Sequence, residues 1–470
     1  MSTDHQSFAE LFPMPMTSIE KFHWFDDAPD YPNVVYCRMR VSGKLDKETA
    51  RNAWQVVIER QPFGDVRPEK VNGKLNWLQG PRASDRQAQD FSKWDGTKFA
   101  WEEFEQPPTA WQFQDHRTKS PTGSFLGVSV FPAEKGSNEF VSEIWLYVHH
   151  AISDGAGSIQ CANDWMNVYA NLRMGKQADA GLHRLDPDLL KTRNSLGILS
   201  WRYLKHLWKQ PIALFGAAKF VFRKTAELAP GLPSNQAGQI IGSPNIIGQW
   251  ISDDQVKRLS RNAKQNEVML NSVLLGELYN AITEWRKKHG VHQPHDWLRI
   301  IVPMSIRNVS DRRLPAANRA TLVQVDRCEK DTKDQRKLYH YLNREIMIIR
   351  GWQLDKMFLL VIRMLSAFEP LLRRAATKDK SRGMAVFANL GEPLRKSERS
   401  SARQPDSDAF IRPFEFDFVG PIREGTPVNF SISKYNKAIR VSMQYDGRVL
   451  TNKMAQQLLD KYCNQLNSIQ

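Results

Sequence analysis

The stretch Leu146-Tyr147-Val148-His149-His150-Ala151-Ile152-Ser153-Asp154-Gly155 joins a strand to a helix and gathers the chain's most reactive side chains at the junction. Before it, Phe140, Ile144, Leu146 and Val148 alternate as in a half-buried strand, which carries His150 onto the same apolar face at the strand's end. After it, Gly155 and Gly157 break the strand, and Cys161, Trp165, Val168, Tyr169 and Leu172 recur at helical spacing. Neighbouring residues of a strand point to opposite faces, so only one of the two histidines serves a given pocket, and parity selects His150. A neutral imidazole in a dry cleft, with a pKa near the working pH, takes a proton from a hydroxyl, amine or thiol that attacks a carbonyl. His150 is thus a candidate general base. Asp154 has two roles open to it: orienting the imidazole as the acid of a triad, or turning away to pair with an arginine. The second is favoured, because Gly155 places a backbone N–H beside the site and that donor is useful only on a pinned loop.

His149 to Gly155 resembles the HHxxxDG motif of the CoA-dependent acyltransferase superfamily. That group includes chloramphenicol acetyltransferase, nonribosomal-peptide condensation domains, plant acyltransferases, alcohol acetyltransferases and wax ester synthase/diacylglycerol acyltransferases. The resemblance implies an α/β fold of two chloramphenicol acetyltransferase-like subdomains, each a mixed sheet with flanking helices, with the active site in the cleft between them. It implies that His150 is the catalytic base, that His149 supports the motif, that Asp154 belongs to a structural ion pair, and that Gly155 lies near the reacting carbonyl. The co-substrate it implies is an acyl-CoA or an acyl carrier protein, with no metal and no tightly bound cofactor.

Further landmarks carry the same resemblance along the chain. Val302-Pro303-Met304-Ser305-Ile306-Arg307 resembles the VPxSxR segment, which makes Arg307 the partner of Asp154. Asn318 and Leu322 to Val325 resemble the asparagine and short strand of condensation-like members. Met384 to Gly391 resembles the SNLG-type strand end, but Ala388 stands where serine is common, so the hydroxyl's role is unassigned and Asn389 is a substitute donor for the oxyanion. Phe416 to Gly420 only loosely resembles the DFGWG motif and lacks its tryptophan.

Composition suits two to three domains with sizeable cores: 470 residues, 41% hydrophobic and 25% charged. Fourteen tryptophans suggest aromatic-lined cavities as well as core. Cys37, Cys161, Cys328 and Cys463 form no CxxC pair and no zinc spacing, and read as buried thiols in a reducing compartment. Met1 to Glu10 is polar and does not read as a secretory signal, and no uncharged apolar run approaches the ~20 residues that span a bilayer. The expected location is cytoplasmic, with peripheral contact at the inner membrane surface. A formal charge of +15 favours an anionic partner such as CoA phosphates, an acidic carrier protein or a membrane. No nucleic-acid motif is present. His289, His292 and His295 sit among Gly290 and Pro294, which deny a metal site its regular display and indicate a solvent loop.

The chain divides into an N-terminal acyltransferase-like subdomain (1–180), a basic hydrophobic crossover (181–248) and a C-terminal subdomain (249–470). In the first, Val35, Cys37, Met39 and Val41 alternate with Arg38 and Arg40 as a strand with one wet face, and a helix capped by Asp46 follows. In the crossover, Leu189 to Ala226 holds eight Lys or Arg and no acidic residue; Trp201, Leu204 and Trp208 share one helical face, and the run Ile212 to Phe222 is more apolar. Such a segment reads either as an interfacial helix drawn to anionic lipid or as a crossover packing its apolar face on the protein. The expected function is transfer of an acyl group from a thioester to a hydroxyl or amine by a monomer, without nucleic acid. A carrier-protein donor, a membrane-bound lipid-synthesising acyltransferase and a non-catalytic binding protein of the same fold are the alternatives. A metal hydrolase using His149, His150 and Asp154 is disfavoured by the opposed faces of the histidines.

Overall fold

A computed structural model describes residues 8–80, 98–108, 123–134, 136–198, 200–212, 216, 223–230, 232, 245–293, 295–377, 383–403 and 408–470. In chain order its strands are β1 (Met14–Pro15), β2 (Val34–Ser42), β3 (Val66–Val71), β4 (Lys74–Gln79), β5 (Phe99–Glu103), β6 (Ser124–Pro132) and β7 (Phe140–His149), followed by β8 (Asn245–Ile251), β9 (Trp297–Ser305), β10 (Ala320–Cys328), β11 (Ala385–Gly391), β12 (Glu415–Val419), β13 (Val428–Tyr435) and β14 (Ala438–Tyr445). Two large sheets result. The first has the order β12-β2-β7-β6-β5 and the second the order β10-β9-β11-β13-β14-β8, while β1, β4 and β3 form a small third sheet. Both large sheets are mixed: β5 runs parallel to β6, and β11 runs parallel to both β9 and β13.

Helices cover the sheets for the reason their apolar stripes require. Helix α1 (Ser18–Asp26) opens on a reciprocal capping box of Thr17 and Glu20. Helix α2 (Lys47–Arg60) is capped by Asp46, whose Oδ1 accepts from the Thr49 N–H at 2.8 Å, and it buries Ala50, Ala53, Trp54 and Val57. Helix α3 (Gly155–Arg173) packs beside α2 and buries Trp165 fully. Burying such large side chains contributes about 1.5–3 kcal/mol each. Around the second sheet, the helix Leu270–Lys288 is buried along most of its length beneath the helices Asp253–Gln265, Gln335–Gly351 and Asn452–Ser468.

Two findings differ from the reading of the sequence. Strand β12 lies at residues 415–419, far into the C-terminal part, yet it pairs antiparallel with β2 in the first sheet, with Asp417 opposite Arg38. The face of β2 that reads as wet is consequently covered. Asp417, fully buried, accepts from Arg38 Nε at 3.1 Å, from Arg440 Nε on β14 at 2.8 Å and from Ser442 Oγ at 2.8 Å. Charges that alternate with apolar residues along one strand can mark an ion-paired junction as well as a solvated surface, and the strand alone does not tell which. The second difference is in the crossover. Its described part is not one long helix: Trp201–Leu204 makes a single turn, Leu207–Lys209 a separate 3-10 turn, and Trp201 and Trp208 remain 77% and 74% exposed. Most of the run Ile212 to Phe222 lies outside the described residues.

Candidate active site

Strand β7 ends at His149, one residue earlier than the alternation of its apolar residues indicates, and His150 opens the turn into α3. The turn is needed because the chain must reverse over the edge of the sheet; Ile152 N–H donates to the His149 carbonyl at 3.0 Å, and Asp154 caps the helix by accepting from the Gly157 N–H at 2.9 Å. Both histidines meet α1, but differently. His149 is 2% exposed, with its Nδ1 accepting from the Ala151 N–H at 3.1 Å and its ring tilted against Trp24 at 5.8 Å between centroids. The His150 ring stacks on His23, with centroids 4.1 Å apart and planes 13° from parallel, and it lines a cavity.

The His150 ring is fixed in one tautomer. Nδ1 lies 3.0 Å from the Ser153 carbonyl oxygen, which only accepts, and 3.3 Å from Asn318 Nδ2, whose shorter bond at 2.8 Å is to the His150 carbonyl; the Ser153 contact therefore assigns the proton to Nδ1 and leaves Nε2 the basic lone pair. Asn318 reaches from the second half and donates Nδ2–H to the His150 carbonyl at 2.8 Å, while the His150 N–H donates to the Asn33 carbonyl at 2.8 Å. Burial pushes the imidazole down to about 4, with the Arg423 charge acting in the same direction against the pull of Asp154. The ring is accordingly neutral at physiological pH, with a pKa well below the near-neutral value anticipated for it.

Asp154 turns away from the imidazole. Its Oδ1 accepts from Arg307 at 3.1 Å as well as from Gly157, and its Oδ2 accepts from the Arg319 N–H at 2.8 Å. Burial alone would raise this carboxyl, but the Arg307 guanidinium and those N–H donors outweigh it and hold the group below its ordinary range. Arg307 also donates to the Ala317 carbonyl at 2.7 Å, so residues 317–319 of the second half wrap around the histidine turn. Of the two roles open to Asp154, the geometry is that of the ion pair.

Gly155 sits at the first position of α3, where its N–H has no intrahelical acceptor, and it lines the same cavity. A Cβ there would meet Phe418 only at 3.5 Å, an ordinary contact, whereas a Cβ on Gly157 would collide with Ser153 Oγ and press on the Ala316 backbone at 3.1 Å. Close packing at this turn therefore rests on Gly157. Asn389 differs from the role expected of it: it is exposed on β11, donates to Asn271 at 3.0 Å and is absent from the lining of the cavity. Strand alternation presents Ala388 and Leu390 to the cavity instead. Directly across from Ala388, Ser431 on β13 also lines it, with its hydroxyl donating to Asn429 Oδ1 at 3.2 Å.

The cavity occupies 1510 Å³ between the two halves, lined from the first by Val35, His150, Gly155 and Phe418 and from the second by Ile301, Leu322, Val386 and Ser431. It follows β9 from Pro303, beside the histidine turn, to Trp297, a reach of about 20 Å at the rise of an extended strand. Apolar side chains of the helix Lys356–Leu365 wall its middle. At its far end arginines and carboxylates are paired: Arg299 makes a bidentate pair with Asp326 at 2.7 and 2.9 Å, and Arg223 lies 3.7 Å from Asp326 and 3.6 Å over the Trp297 ring. Among the described residues, no three of His, Cys, Asp and Glu converge as a metal-ligand set, and all four cysteines are buried and unbridged. His23, Asn33 and Arg423 are site residues that the sequence reading missed. His23 and Asn33 touch the turn across more than a hundred positions of sequence, Arg423 reaches the cavity beside it while paired with Asp26, and a lone histidine inside an aromatic helix carries no spacing signal.

Two mixed sheets sharing a cleft, with the paired histidines where a strand of the first sheet ends and an Arg–Asp pair joining the halves, define the chloramphenicol acetyltransferase-like fold of condensation domains and acyltransferases. Solved structures of that fold superpose on nearly the whole chain. They include the first condensation domain of the calcium-dependent antibiotic synthetase in complex with a substrate analogue (TM-score 0.63, 14% identity, 97% of this chain and 95% of that one). The trichothecene 15-O-acetyltransferase from Fusarium sporotrichioides superposes with a TM-score of 0.62 at 11% identity, over 97% of this chain and 95% of that one. The starter condensation domain of rhizomide synthetase, in complex with C8-CoA and Leu-SNAC, gives a TM-score of 0.60 at 10% identity, over 99% and 96%. The sequence matches no family model and no curated protein.

Proposed function

We propose that the protein transfers an acyl group from a thioester to a hydroxyl or amine acceptor, with His150 as general base. The observation that carries this reading is the fixed tautomer of a neutral His150: Nδ1–H is held by the Ser153 carbonyl, leaving Nε2 as a base on a residue that lines a two-ended cavity. The acceptor's oxygen or nitrogen attacks the thioester carbonyl carbon while Nε2 takes its proton. The tetrahedral oxyanion is met by N–H groups of the first turn of α3 near Gly155. Collapse breaks the C–S bond, and the proton passes from Nε2 to the departing thiolate. His149 and the Asp154–Arg307 pair hold the turn and take no part in bond making. No metal or resident cofactor enters the scheme.

An acyl-CoA is the preferred donor. A structure of similar fold holds C8-CoA, and the net charge of +15 suits the CoA phosphates. The same net charge also suits a thioester carried by an acidic protein, which is the second donor reading. The test is free-thiol release from a panel of acyl-CoAs of increasing chain length, with pooled alcohols and amines. Acceptor-dependent release supports the reading and gives its donor range. Silence with CoA donors and with acylated carrier proteins alike overturns it.

A further inference from the structure

The exposed apolar side chains are concentrated on one face. Of the fifteen large hydrophobic residues exposed among the described residues, eleven fall within 201–212 and 341–371. These segments touch: Lys209 Nζ sits 3.8 Å over the Trp352 ring, Gln210 donates to the Trp352 carbonyl at 3.1 Å, and Lys356 Nζ lies 5.5 Å from the Tyr203 ring. Trp201 is 77% exposed, Trp208 74% and Met364 77%, with Phe368 at 58% on the same stretch of chain. The face is also basic. Among the described side chains of residues 201–212 there are Lys205 and Lys209 and no acidic residue, and residues 335–377 hold eight Lys or Arg against three Asp or Glu. It meets the cavity described above, because Ile212, Tyr341, Val361, Leu371 and Arg374 line that cavity as well as this surface.

From this we infer that the face built by residues 201–212 and the helices spanning 335–377 docks on an anionic membrane, with one opening of the cavity turned toward the lipid. Exposed indole rings seat at the level of lipid headgroups, and a basic, aromatic surface binds anionic lipid through both area and charge. Soluble monomers seldom expose so contiguous an apolar patch without a partner for it. A protein partner would leave the surplus of positive charge around the tryptophans unmatched unless it were strongly acidic; an anionic bilayer matches both features at once.

Flotation of the full-length protein tests this, using phosphatidylcholine vesicles with and without phosphatidylglycerol at low and high salt. Wild type floats with the anionic vesicles at low salt and stays below with the neutral ones. Trp201→Ala/Trp208→Ala and Lys205→Glu/Arg363→Glu each weaken binding about tenfold or more while keeping the wild-type melting temperature, since the four side chains lie exposed at the surface. His150→Ala floats like wild type, which separates docking from catalysis. Equal partition onto neutral and anionic vesicles, or variants that float as well as wild type, would overturn the inference. So would absence of flotation together with a concentration-dependent dimer that the tryptophan variant abolishes, which assigns the face to a second copy.

Discussion

At the scale of single residues, the site turns on which atom of each side chain is already engaged. His150 offers Nε2 because Ser153 holds Nδ1, and burial keeps the ring neutral. The pH dependence follows with its sign. A base whose pKa is depressed to about 4 stays competent throughout the neutral range and loses activity only as pH falls through that value, so the acidic limb of a pH–rate profile lies near 4 and not near the ordinary 6.5 of histidine. Initial rates between pH 3.5 and 8 check this in any buffer the fold survives. Asn389→Ala, outside the cavity, is expected to leave turnover within about twofold of wild type. Gly155→Ala folds normally, while Gly157→Ala lowers the melting temperature, because only the second new methyl meets backbone. Differential scanning of the two variants separates them.

At the scale of elements, the junction between halves is held by charge. Removing one member of a buried ion pair leaves the other uncompensated, at a cost of about 3–5 kcal/mol. Asp417→Ala removes the fully buried partner of Arg38 and Arg440, which both keep Glu415, and is expected toward the lower end of that range by urea denaturation. Asp417 is pushed down to about 2 by Arg38 and Arg440 acting against burial. Its stabilising contribution is therefore complete above the ordinary carboxyl value and drains away as pH falls from there through about 2, so wild type should lose stability over that window and Asp417→Ala should lose less. Strands and helices were largely legible in the sequence: the alternation of Val35, Cys37, Met39 and Val41 lies inside β2, and the Asp46 cap and apolar stripe delimit α2. Pairing between distant strands was not. Phe416 to Gly420 offers only a loose motif likeness, and nothing local says that this stretch pairs with β2, because both edges of a short strand offer the same hydrogen-bonding groups.

At the scale of the whole molecule, two halves with separate cores close on one cavity, and the reactive turn belongs to both. The first half supplies His150 and Asp154, and the second supplies Arg307, Asn318 and the Arg319 N–H that fix them. The motif made His150, Asp154 and Arg307 visible in the sequence because each is tied to a fixed spacing or a short run of neighbours. The stacking of His23, the reach of Arg423 into the cavity and the placing of Ser431 opposite Ala388 were invisible, since they depend on how α1 and β13 sit in space. The measurement that bears most directly on the account is acceptor-dependent thiol release by wild type and His150→Ala, on the best donor of the acyl-CoA or acylated-carrier panel and at matched folded concentration. Acid–base catalysis by His150 predicts a loss of about two to four decades with an unchanged melting curve. Turnover by the variant equal to that of wild type would contradict it.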